Sequence, residues 1–190
     1  MNVKQVAINL ISQVDKGAYS NIALNETFKT LNINSKEKAF ITEIFYGVIR
    51  NKKFLDYIIE KNTKEIKKEW IRNLLRISIY QITFMDSDNK GVVWEATELA
   101  KKKYGVPISK FINGTLRNYL RNKDSELKSL ADKKNYEVLY SIPKWFCDML
   151  EKQYGNENLK QAITSLKKIP YLSVRVNKLK YYWKKNLNNF

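Results

Sequence analysis

From residue 3 to residue 166 the apolar side chains recur three and four positions apart, stretch after stretch, with little to interrupt them: the 190 residues include six glycines and three prolines. A sandwich or barrel needs many more turn residues, so the chain is constrained to long helices. Val3, Val6, Ala7, Leu10, Ile11 and Val14 form one stripe, stopped by Gly17. With 44% apolar residues the chain can bury a real core, and 190 residues suit one domain plus an appendage, or two small domains.

The stripes continue. Ser20 or Asn21 can cap a short second helix carrying Leu24, Phe28 and Leu31. Asn34 and Glu37 have capping-box spacing ahead of Ile41, Ile44, Phe45 and Val48; Leu55, Ile58 and Ile59 follow an expected break near residues 50–53. Residues 70–85 are apolar nearly all round, the pattern of a helix in the middle of a bundle. Val92, Val93, Ala96, Leu99 and Ala100 form another stripe, ended by Tyr104 and Gly105. Pro107 suits the first turn of a helix with Ile108, Phe111, Ile112, Leu116, Tyr119 and Leu120 on one side and Asn113, Arg117 and Arg121 on another. Residues 124–140 are charged and weakly periodic, a partly helical linker at most. Pro143 opens a helix with Phe146, Met149 and Leu150, closed by Gly155, and Leu159, Ala162, Ile163 and Leu166 mark a last one.

The period then changes. Leu172, Val174 and Val176 alternate with Ser173, Arg175 and Asn177, which predicts a strand with no partner upstream. The expectation is a chain that stops just inside a second domain of mixed α/β type.

The charge is as informative as the periodicity. Thirty-five Lys and Arg against 19 Asp and Glu give a net +16. Such a surplus attracts polyanions, nucleic acid first and an anionic membrane surface second; a general lysine-rich bias is the alternative. The surplus is uneven: residues 158–190 hold eight basic residues and no acidic one, and residues 101–123 hold seven and none. The second run, Lys101, Lys102, Lys103, Lys110, Arg117, Arg121 and Lys123, is the candidate RNA-binding surface, against the reading of a solvated face. Asn113, beside the apolar stripe, is expected to cap or cross-link neighbouring helices.

Catalytic chemistry is hard to find. The glycines are too dispersed for a nucleotide loop, and no histidine is present as a base or metal ligand. Cys147, the one cysteine, reads as a buried thiol, and Glu65 and Glu69 as solvated carboxylates among lysines. No metal site is expected, a reducing cytoplasm suits a single cysteine, and no apolar run reaches membrane-spanning length. Most of the 12 tyrosines and four tryptophans fall on core stripes, with stacking of unpaired bases open to the remainder.

Several segments taken in order resemble a known family: Ala18-Tyr19-Ser20-Asn21-Ile22-Ala23-Leu24, Phe45-Tyr46-Gly47-Val48-Ile49-Arg50, Leu74-Leu75-Arg76-Ile77 with Tyr80-Gln81, Glu95-Ala96 with Leu99-Ala100-Lys101, and Phe111-Ile112-Asn113-Gly114-Thr115-Leu116-Arg117-Asn118. They look like the NusB-like N-terminal domain of the RsmB/Sun class of small-subunit rRNA methyltransferases. Pro143-Lys144-Trp145, Tyr154-Gly155 and residues 172–177 look like the helices and first strand leading into that family's catalytic domain. The resemblance implies an all-α NusB-like bundle over residues 1–123, a linker and helical extension over 124–168, and the start of a truncated catalytic domain over 169–190. It implies binding of small-subunit ribosomal RNA. Arg50, outside the basic run, is a further candidate contact.

The family methylates cytosine carbon 5 from S-adenosylmethionine, in a C-terminal domain whose motifs do not occur here. No catalytic, cofactor-binding or metal-binding residue is therefore carried over, and the partner for catalysis would be the catalytic domain of the same protein, if the natural chain is longer. Two departures stand out: helix one holds only Lys4 and Lys16 where the family is arginine-rich, and Trp94 stands where Asn is more usual. A stand-alone NusB-like antitermination factor and a helical protein–protein adaptor are the competing readings.

Overall fold

A computed structural model describes residues 2–167 and 173–175. In chain order its helices are α1 (Val3–Asp15), α2 (Ser20–Thr30), α3 (Ser35–Arg50), α4 (Lys52–Asn62), α5 (Glu69–Phe84), α6 (Asn89–Tyr104), α7 (Val106–Asp132), α8 (Tyr136–Leu139) and α9 (Lys144–Lys167). The described residues are all-α. Of the strand expected over residues 172–177, positions 172, 176 and 177 lie outside the described residues, and Ser173, Val174 and Arg175 belong to no helix or strand.

The helix ends follow local chemistry. Asn2 accepts from the Lys4 and Gln5 amides to cap α1. Asn34 and Glu37 close the expected capping box on α3, each side chain bonded to the other's backbone N–H. The break near residues 50–53 is Asn51, whose side-chain amide donates to the Gly47 carbonyl at 2.8 Å and so ends the α3 ladder. Asp88 caps α6. Between α6 and α7 the chain turns on Gly105 at φ +83, a backbone conformation that L side chains rarely adopt.

α5 is the central helix, packed on α1, α3, α4, α6 and α7 and buried at every position from Asn73 to Ile82. Arg76 lies inside this core. Its guanidinium forks onto Asp56 of α4, with both N···O distances 2.8 Å. It also reaches Asp15 of α1 at 2.8 Å and Asn73 at 2.7 Å. One buried cation thus ties three helices together, and its bidentate geometry needs an arginine. Lys52 pairs with the same Asp15. Burial raises the Asp15 carboxyl, but Lys52 and Arg76 outweigh that and hold it below the usual carboxylate range.

Lys4 is fully buried on α1 and meets Glu95 of α6 in an ion pair at 2.9 Å. Burial pulls its amine below the ordinary lysine range, and Glu95 works against that pull. α1 therefore uses its one lysine internally, and Lys16 lies just past the helix end as its C-cap.

α7 runs on through residues 124–132, where periodicity alone predicted a linker. Glu126 and Leu130, four residues apart, are buried and anchor that stretch. Asn62 of α4 donates to Glu126 at 3.2 Å and accepts from Asn118 at 2.7 Å, so the buried carboxylate has its partner. Beyond it, Cys147, Leu150, Leu159 and Ile163 form a second, smaller core with Tyr136, Tyr140, Ile142 and Phe146. Gly155, at φ +76, divides α9 into two helical segments. This extension is fastened to the bundle: the Ser141 hydroxyl accepts from the Phe54 amide at 2.9 Å, and Lys53 pairs with Glu137. α4 has no cap from Asn51, so the extension supplies the bond that satisfies its first turn.

Candidate nucleic-acid interface

α6 and α7 pack side by side and run in opposite directions. Ser109, early in α7, donates to the Thr97 carbonyl at 3.0 Å, while Leu120 lines the same groove as Asn89 at the start of α6. Helical spacing puts Lys90, Trp94, Thr97 and Lys101 along one side of α6, and Lys110, Asn113, Arg117 and Arg121 along one side of α7. Between the two rows lies an open groove of about 530 Å³. Its lining includes Lys90, Trp94, Lys110, Asn113 and Arg117 and contains no carboxylate.

The seven cations expected in residues 101–123 do not all share this surface. Lys110 and Arg117 line the groove, Lys101 and Arg121 are exposed and continue the two rows by helical spacing, and Lys102 is exposed one residue off the α6 row. Arg121 makes a long contact to Asn118, at 3.4 Å. Lys103 instead sits over the Trp70 ring, 4.7 Å from its centroid, and Trp70 packs edge-on against Tyr104. Lys123 donates to the Ile82 carbonyl at 2.8 Å, closing the C-terminal turn of α5. Arg50 belongs to a different element, the last turn of α3, where its Nε donates to the Tyr46 carbonyl. These last three side chains are at least partly engaged within the protein.

Asn113 corrects an expectation. Among the described residues its side chain makes no hydrogen bond; it lines the groove, half-buried. The cross-linking amide on α7 is Asn118, one turn later. Lys90 and Trp94 lie outside the acid-free run of residues 101–123, so charge alone does not point to them. Their shared spacing with Thr97 and Lys101 is the signal that finds them.

Cys147 is buried, and burial followed by Glu137 and Asp148 pushes its thiol up, so it stays protonated near neutrality and is a poor nucleophile. Glu65 and Glu69 are exposed. No helix of the described residues is long and apolar enough to cross a membrane.

Residues 1–121 match the NusB family. The chain belongs to that family. The match takes in α1 to α6, the α6–α7 turn and the α7 cation row through Arg121. This NusB-family chain is 27% identical, over 184 residues, to the probable ribosomal RNA small subunit methyltransferase B of Bacillus subtilis (strain 168), covering 94% of the chain and 41% of that protein. It is 31% identical over 134 residues to the transcription antitermination protein NusB of Dictyoglomus thermophilum, covering 68% of the chain and 88% of that protein. The chain thus spans about two-fifths of the methyltransferase relative. The crystal structure of PH0851 superposes with a TM-score of 0.62 at 20% identity, covering 90% of this chain and 40% of that one, which establishes a shared helical fold.

Proposed function

We propose that this NusB-family chain is the RNA-positioning part of a small-subunit rRNA cytosine-C5 methyltransferase and does not catalyse methyl transfer alone. The carrying observation is the α6–α7 surface: Lys90, Lys101, Lys110, Arg117 and Arg121 in two rows on packed helices, around a groove whose lining has no carboxylate. Cations fixed on rigid helices track a phosphate backbone at regular spacing, and counterion release supplies much of the affinity. The surface suits ribosomal RNA in the cytoplasm as its partner.

The methyl donor of such an enzyme would be S-adenosylmethionine. The groove does not fit it: a sulfonium cation gains nothing from a lining of three cations and no carboxylate. Donor binding and the cytosine chemistry would fall to another domain, and no step is assigned to residues of this chain.

The second reading, an antitermination factor, is favoured by the likeness to NusB of Dictyoglomus thermophilum. The extent of matching favours the methyltransferase reading. The likeness to the Bacillus methyltransferase covers 94% of the chain against 68% for that NusB, so it extends into the α8–α9 extension.

The test is the Arg117→Glu/Arg121→Glu double variant, titrated against a fragment of small-subunit rRNA. Its affinity should fall roughly tenfold or more, and the slope of affinity against salt should flatten by about two. Unchanged affinity would remove the α6–α7 surface from RNA binding.

A further inference from the structure

Trp94 is 68% exposed, although large aromatic side chains are the ones a fold gains most by burying. The other aromatics near α6 are engaged internally. Trp70 is largely buried, donates from its indole N–H to Gln5 at 3.2 Å, and carries Lys103 on its face. Tyr104 carries Lys68 at 4.2 Å from its centroid. Among the described residues the Trp94 ring makes no ring or cation contact, and its indole N–H has no hydrogen-bond partner. It stands at the groove with Lys90 four residues before it on the same helix side, and with Lys110, Asn113 and Arg117 lining the α7 side.

From this arrangement we infer that the α6–α7 groove seats an unpaired nucleotide of single-stranded RNA, its base stacked on Trp94 and its phosphates held by Lys110 and Arg117. The inference rests on the proposed RNA-binding reading and narrows it to a strand form. Three features select this occupant. The groove's volume of about 530 Å³ suits a small planar group with its sugar and phosphate, within the roughly 300–1,000 Å³ of small-molecule sites. Its charge complements phosphate, with cations and no carboxylate in the lining. Asn113, half-buried and without a hydrogen bond among the described residues, offers both a donor and an acceptor to a base edge. A base paired within an A-form duplex has both faces covered by its neighbours and offers none to the exposed indole, whereas an unstacked base does.

The test compares Trp94→Ala and Trp94→Phe with the parent chain, using an unstructured single-stranded RNA of about a dozen nucleotides and a blunt RNA duplex of equal length. Binding is read by anisotropy over a salt series and by quenching of tryptophan emission. Trp94→Ala should bind the single strand about tenfold more weakly and lose most of the quenching, with its salt slope unchanged; Trp94→Phe should stay within about threefold of the parent. The loss on the duplex should be under about twofold. Because Trp94 is exposed, both variants should melt with the parent, and the melting curve checks this. If the parent binds single strands and Trp94→Ala binds them equally well, stacking is overturned while RNA binding stands. If the parent binds neither RNA, the underlying reading fails as well. Concentration-dependent self-association that Trp94→Ala abolishes would assign the exposed indole to a second copy of the chain and overturn the nucleotide site.

Discussion

At the scale of single residues, Gly47 and Tyr80 show how a local rule is overridden. Alanine is a better helix former than glycine by about 1 kcal/mol, so Gly47→Ala in mid-α3 should stabilise on propensity alone. A Cβ at Gly47 would instead fall inside the Tyr80 phenol, which is held in place by a 2.6 Å hydrogen bond from its hydroxyl to Glu43. Gly47→Ala should therefore destabilise by about 1–3 kcal/mol, and adding Tyr80→Leu should recover part of the loss. Thermal denaturation of the three variants measures this, and a higher melting temperature for Gly47→Ala would contradict the packing. Asp15 carries a pH prediction. Its folded carboxyl titrates below the usual 3.8, so its contribution is present above that value and is lost as pH falls through the folded value. The parent should lose stability steeply below about pH 4, and Asp15→Asn, already weakened at neutrality, should show a shallower acid slope. Parallel slopes would mean that the Lys52 and Arg76 pairing contributes nothing. Neither effect was legible in the sequence, where Lys4, Arg76 and Lys123 read as ordinary cations. Which of them is buried depends on Glu95, Asp56 and the Ile82 carbonyl, brought in from other helices.

At the scale of elements, periodicity served well where a helix buries one stripe or all of itself. α1, α3, the all-round apolar α5, and the Gly105 turn into α7 were legible, as was the break before α4. It failed at residues 124–132, because only Glu126 and Leu130 of that stretch are buried, and a buried glutamate looks like a surface residue until Asn62 is opposite it. The candidate site was half legible. The α7 row, Lys110, Arg117 and Arg121, stood out by charge, whereas the α6 row needed the helix pairing to bring Trp94 to the same groove. The long-range cap on α4 belongs to this scale too. Removing the Ser141 hydroxyl leaves the Phe54 amide without its acceptor, so Ser141→Ala should cost about 0.5–2 kcal/mol. Hydrogen exchange should rise first at the start of α4; exchange unchanged there would show that the extension does not support the bundle.

At the scale of the whole molecule, the helical bundle and its α8–α9 extension are joined by the Ser141 cap and the Lys53–Glu137 pair, with a basic double row on α6 and α7. A net +16 makes some attraction to any polyanion unavoidable, so affinity alone does not distinguish a recognition surface from a charged one. What distinguishes them is preference between polyanions as the electrostatic share is screened away. The most direct measurement is therefore the binding of this chain to a small-subunit rRNA fragment and to duplex DNA of equal length, over a salt series from about 50 to 200 mM. A shaped RNA surface predicts that preference for the rRNA fragment persists at the upper end of that range. Equal and equally steep loss of both would contradict it and leave only the charge.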